Sequence, residues 1–301
     1  MKKALVLIAV AAILFSSGCT SLPWGQKAVT SGYALTVNAF EPDMTELETS
    51  DKFDLYLEVE NVGGTVARNT YAHLFNLDWI TSGTSADLGD IEPPDELSGI
   101  PGEIKEYTWS NIQVPSDLQP GVVYSYSPRV RLMYNYQTIA TANIPIMKKD
   151  EYKRLSERNL LNLPAVTTQV SKGPLSVVIS ARTPIVIDSV DEDSIDFRVN
   201  VDLLPNGGVI NPNHDTSELV IPTDELDELE MTIYADGIDS PIECDAFETP
   251  QEKSLRRGDM IVYTCELKAN DFSASRDIPV RVQLDYVYFE DYATSITVRG
   301  D

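Results

Sequence analysis

The chain has 301 residues, 43% of them hydrophobic and 23% charged, with 16 Gly and 18 Pro spread along it. That composition excludes a disordered or collagenous chain and leaves room for two domains, each with its own core. Basic residues number 23 against 47 acidic, a net charge of −24, so the long-range field repels phosphate backbones and excludes nucleic acid as a partner. The acidity reads as a solubilising surface, with divalent-cation binding as the sharper alternative.

The N-terminus follows a secretory plan: Lys2 and Lys3, an apolar run from Ala4 to Phe15, then Ser16, Ser17 and Gly18 before Cys19. The run of 12 residues is shorter than the roughly 20 needed to span a bilayer, so residues 1–18 are expected to be a cleaved signal peptide. The stretch Leu14 to Cys19 resembles the lipobox of prokaryotic lipoproteins, with Ser16 departing from the Leu, Val or Ile usual at that place. The resemblance implies cleavage before Cys19, acylation of its thiol and a membrane partner through that lipid anchor. Residues 19–32 carry Ser, Pro, Gly and Gln without periodicity and are expected to be a tether.

A first module is expected over residues 33–147. Leu35, Val37 and Ala39, then Phe53, Leu55, Leu57 and Val59, alternate with their neighbours as half-buried strands do. Asn61 to Asn69 follows as N-x-G-x-x-x-A-x-N, in physical terms a glycine turn leading into another strand. This pattern resembles the CARDB-like, immunoglobulin-like modules of prokaryotic surface proteins. The resemblance implies a seven-stranded sandwich used as a spacer, adhesion or interaction unit, and brings no catalytic residues. Farther on, Val130 to Tyr136 and Ala140 to Ile146 alternate again and are expected to form a hairpin turning near Gln137 and Thr138.

Residues 148–164 are expected to be a short helical linker, with Asp150 as N-cap, apolar positions at Tyr152, Leu155, Leu160 and Leu163 that are expected to be partly packed, and Pro164 as its stop.

Residues 165–301 are expected to repeat the first module. Arg129, Val130, Leu132, Tyr134, Tyr136, Ile144 and Ile146 recur as Arg281, Val282, Leu284, Tyr286, Tyr288, Ile296 and Val298, every pair 152 apart. The strand at Phe53 recurs 142 residues on at Ile195, and the block from Gly102 to Trp109 recurs 156 on at Gly258 to Cys265. These spacings predict an all-β chain of two tandem immunoglobulin-like β-sandwiches, with changes of spacing absorbed in loops. The largest excess, Asn206 to Glu228, is expected to be an exposed insertion. With Cys19 acylated, Cys244 and Cys265 remain as an even pair; a disulfide between them would add about 3 kcal/mol, and two buried thiols are the alternative.

Chemistry is sparse. His73 lies in a strand-like stretch and His214 in the insertion, neither with a recognisable nucleophile partner, and no P-loop, HExxH, GxSxG or dinucleotide motif occurs. The acidic runs Asp188 to Asp196 and Asp224 to Glu230 lack EF-hand spacing and read as solvated turns. Tyr134, Tyr136, Tyr286 and Tyr288 run in phase with apolar residues and read as core. No catalytic residue, metal site or cofactor is expected. The reading is a non-enzymatic, lipid-anchored surface protein that binds or scaffolds a protein or glycan partner. A structural or basal subunit of a filament or surface layer is the alternative, and a carboxylate-dependent hydrolase is a third reading.

Overall fold

The computed structural model describes residues 32–80, 83–161, 165–188, 194–203, 207–235, Cys244, 261–268 and 275–300. The expected signal peptide, most of the tether and Cys19 lie outside the described residues, as do Asp191, Glu192 and Asp193.

Period-two alternation becomes strand throughout, with one short helix among the described residues. The first half contains β1 (Leu35–Pro42), β2 (Glu46–Glu48), β3 (Lys52–Asn61), β4 (Ala67–Phe75), β5 (Ser85–Ile91), β6 (Ile104–Gln113), β7 (Val123–Tyr126) and β8 (Arg129–Lys148). Helix α1 (Lys149–Glu157) leads to β9 (Thr168–Val170), β10 (Leu175–Ala181), β11 (Ile185–Ile187), β12 (Ser194–Leu203) and β13 (Gly207–Ile210). The chain continues through β14 (Glu230–Ala235), β15 (Ile261–Lys268), β16 (Arg276–Ala293) and β17 (Ile296–Arg299).

Strands β1, β3 and β6 form one three-stranded antiparallel sheet, and β10, β12 and β15 form another. Their registers are equivalent. Leu55 lies opposite Trp109 as Phe197 lies opposite Cys265, so the 142- and 156-residue spacings are structural correspondences. A third, eight-stranded sheet runs through both halves in the order β13-β16-β8-β4-β5, with β9, β11 and β14 on its flanks. Apart from Met133, Ile210 and Val287, the buried apolar residues of these sheets join in one continuous core.

The centre of that shared sheet is the antiparallel pair β8 and β16, matched over 18 residue pairs. Asn135 faces Val287, its own counterpart 152 residues on, while Tyr134 faces Tyr288 and Tyr136 faces Tyr286. A ladder in which a residue meets its own repeat is centred on a local two-fold axis, the isologous geometry of a symmetric dimer. The ends of the two strands cross over. β17 pairs with β2 and β7 of the first half, and the end of β8 pairs with β11 and the start of β16.

The expected hairpin at Gln137 and Thr138 does not form: β8 is one strand of 20 residues. A two-residue turn needs residues that tolerate positive φ, which Gln and Thr do not supply. Even-numbered side chains from Val130 to Ile146 stay in one phase, all buried, and the Thr138 hydroxyl bonds the Tyr286 hydroxyl at 2.7 Å.

The insertion also differs from expectation. Ile210 faces Val287 as Arg68 faces Asn135, and Tyr234 faces Arg281 as Phe75 faces Arg129. Strands β13 and β14 together therefore replace β4, and residues 211–229 interrupt a strand instead of linking two. His214 and Thr216 within them are buried, while Asn213, Glu218 and Val220 among others are exposed as expected. Helix α1 ends at Glu157, is preceded by Lys148 as its N-cap and buries none of its residues. Asp150 falls inside its first turn, where the carboxylate faces the positive end of the helix dipole.

Each named residue of the Asn61 to Asn69 motif has a local task. The Asn61 amide donates to the carbonyls of Thr65 and Ile91 at 3.0 and 2.7 Å and accepts from the Gly63 amide at 2.9 Å. A Cβ on Gly63 would stand 2.2 Å from the Tyr136 hydroxyl. Ala67 is fully buried, and Asn69 takes a left-handed φ of 49° where β4 bulges against both neighbours. Cys244 and Cys265 are joined by a disulfide.

Candidate functional site

The outer face of the central sheet, at the two-fold axis, is where the chain departs most from its own symmetry. Met133, Ile210 and Val287 would be exposed on that face, yet they form a small second core with Ile221 and Phe289. Residues 211–229 cover it. The cover is closed on itself: the Asn211 amide donates to the Glu225 carbonyl and the Asp227 amide to the Val209 carbonyl, at 2.9 and 2.8 Å. Within it the Asp215 carboxylate accepts from the Ser217 amide at 3.0 Å, and its bonds to Ser217 hold its pKa low.

The two histidines of the chain come together here, His73 beneath the cover and His214 within it, although 141 residues separate them. His73 projects from β4 and is fully buried. Its Nε2 lies 2.8 Å from the Thr216 carbonyl and its Nδ1 2.8 Å from the Ser85 hydroxyl. A carbonyl can only accept, so Nε2 carries the hydrogen, and neutral Nδ1 accepts from Ser85. Tyr71 stacks on the ring at 6.0 Å. Burial, then the nearby Arg131 and His214 charges, lower the His73 pKa against the opposing bond to Thr216.

His214 Nδ1 lies 2.5 Å from Glu225 Oε2, while its buried Nε2 has no partner among the described residues. Arg131 completes the cluster. Its guanidinium makes paired bonds to Asp291 at 2.7 and 2.9 Å and lies over the Phe289 and Phe75 rings at 4.8 and 5.5 Å. Further contacts tie the cover down: Thr216 Oγ1 donates to the Asn69 carbonyl at 2.7 Å, and Asn135 Nδ2 to the Pro212 carbonyl at 3.1 Å. Beside Pro212 a polar cleft of about 250 Å³ opens, lined by Arg68, Asn135, Gln137 and Asp285 among others.

On the inner face, the four expected core tyrosines meet around the axis with ring centroids 5.8 to 6.2 Å apart. Tyr136 is fully bonded, donating to the Lys172 carbonyl at 2.7 Å and accepting from the Gly64 and Thr65 amides. Glu290 occupies the place equivalent to Thr138, and its Oε1 and the Tyr134 hydroxyl are buried without partners among the described residues. Burial raises the Glu290 pKa to about 7 against a bond from Tyr292, and burial followed by Glu290 raises that of Tyr134. Glu290 also borders a recess of about 300 Å³ with Tyr33 and Tyr292.

Of the acidic runs, Asp188 pairs with Lys149, and Glu225 and Glu228 turn inward to His214 and Asn211. Among the described residues no group of three or more His, Cys, Asp or Glu is arranged to hold a metal ion, and no helix is long and apolar enough to cross a membrane. The meeting of His73 and His214 escapes motif reading. Its one sequence signal is the change of spacing from 142 at the Phe53 strand to 156 at the Gly102 block; the strand pairings, with Ile210 in the place of Arg68 and Tyr234 in that of Phe75, put the extra residues beside the strand that carries His73. No protein-family model matches the chain, and no curated protein matches it.

Proposed function

We propose that the chain is an exported, lipid-anchored, non-enzymatic binding or scaffold protein of a prokaryotic cell surface, built of two immunoglobulin-like halves. The observation that carries this reading is the ladder of 18 pairs between β8 and β16, which makes a stiff body from two repeats, suited to presenting a partner at a fixed distance from its anchor. Each half contributes a three-stranded sheet and strands of the central one, which supports an immunoglobulin-like sandwich as the reading of each half. The Asn61 to Asn69 turn supports a CARDB-like module in the first half. The cleft at Arg68 is the place where a protein or glycan partner is expected to bind.

Crosslinking on intact cells, recovery of the mature body and mass analysis of its N-terminus test this. An acylated Cys19 and a reproducible surface neighbour are expected, and Cys19→Ser is expected to release the protein from the membrane fraction. An unmodified thiol at Cys19 would remove the anchor. The alternative, a basal subunit of a filament or surface layer, draws on β1 and β6, which each have one strand partner among the described residues. Electron microscopy showing monomers at every concentration would remove that reading.

A further inference from the structure

We infer that the insertion 211–229 is an acid-released strap, freed from the central sheet when His73 beneath it takes up a proton, so that the apolar patch of Met133, Ile210 and Val287 is uncovered. The closed form is built for a neutral His73 ring. His73 is saturated as the neutral Nε2–H tautomer, and a second proton would bury a cation beside Arg131 and His214. His214, on the strap, is held through Nδ1 by Glu225, and its Nε2 is buried without a partner among the described residues. Opening brings the His73 ring into water and removes that penalty.

The charged and titratable groups around this seam come from every element packed on it: Tyr71 on β4, Asp87 on β5, Arg131 on β8, Asp291 on β16, and His214, Asp215 and Glu225 on the strap. Few can offset a new charge on His73. Asp291 is held by Arg131, Asp215 by Ser217, and Asp87 bonds the Gly89 amide and raises the Tyr71 pKa. Glu225 serves His214 alone among the two rings. The strap's other bonds to the sheet, from Thr216 to Asn69 and from Asn135 to Pro212, are few and made by neutral groups.

The sign follows from linkage. His73 titrates below its ordinary 6.5 when the strap is closed, and near that value when it is open, so the open form binds more protons. Closure is complete above about pH 6.5 and weakens by up to roughly tenfold per pH unit below it.

Hydrogen exchange of the mature protein tests this, with rates corrected for the intrinsic effect of pH. From about pH 7.5 to about pH 5, the protection of amides such as Asn211 and Asp227 is expected to fall by roughly tenfold or more relative to amides of β8 and β16. The double variant His73→Gln/His214→Gln is expected to lose that difference. Unchanged protection at the lower pH, an equal fall in the double variant, or a fall shared with β8 and β16 would overturn the proposal. If the double variant fails to fold, the ring proton signals of the unaltered protein decide. Titration of the His73 ring at the midpoint of the loss of protection supports release, and a His73 ring that titrates while protection holds overturns it.

Discussion

Asn61 closes the turn between β3 and β4 with three side-chain bonds while fully buried. Asn61→Ala strands two carbonyls and an amide in the interior, and a loss of about 3 kcal/mol in urea unfolding is expected; a loss below about 1 kcal/mol would contradict that role. Glu290 acts with the opposite sign to His73. Its carboxyl, raised from 4.5 to about 7 by burial, favours the fold while protonated. That contribution is complete below about pH 4.5 and is lost as pH rises through 7, on the order of 3 kcal/mol in all. Glu290→Gln is expected to flatten the fall in melting temperature across this range and to be the more stable form at about pH 8; an unaltered slope would show that other groups set it. At this scale the sequence was legible where a residue serves its own neighbourhood, as in the Asn61 turn. It was silent where burial brings distant groups together, as for Glu290 with Tyr134 or His73 with His214.

Among the elements, β17 carries the clearest consequence. Ile296 and Val298 are buried, and the strand lies between β2 and β7 of the other half. Val298→Asp places an unpaired charge in the first half's core from a residue near the C-terminus, and a loss of more than about 4 kcal/mol is expected. Near-ultraviolet circular dichroism is expected to lose the signal of Trp79 and Trp109, both first-half residues; a loss confined to second-half probes would contradict the crossover. Strand existence was legible from alternation, because one buried face imposes a period of two. The false hairpin came from the same signal, since alternation does not reveal where a strand continues. The insertion was visible as excess length, but its burial depends on apolar residues of the outer face, such as Met133 and Val287, that alternation assigns to solvent.

For the whole molecule, duplication was legible and its geometry was not. Seven positions at a constant spacing of 152 identify two copies, while the two-fold axis appears only when Asn135 is found opposite Val287. The register between copies is fixed by closure over a long chain separation, which no local pattern records. The consequence is a body in which each half borrows strands from the other, and residues 33–147 alone lack both β16 and β17. The most direct test is calorimetry of the protein with its disulfide intact. One transition is expected, with the calorimetric enthalpy equal to the van't Hoff enthalpy; two separable transitions, one for each half, would contradict a body held together by β8 and β16.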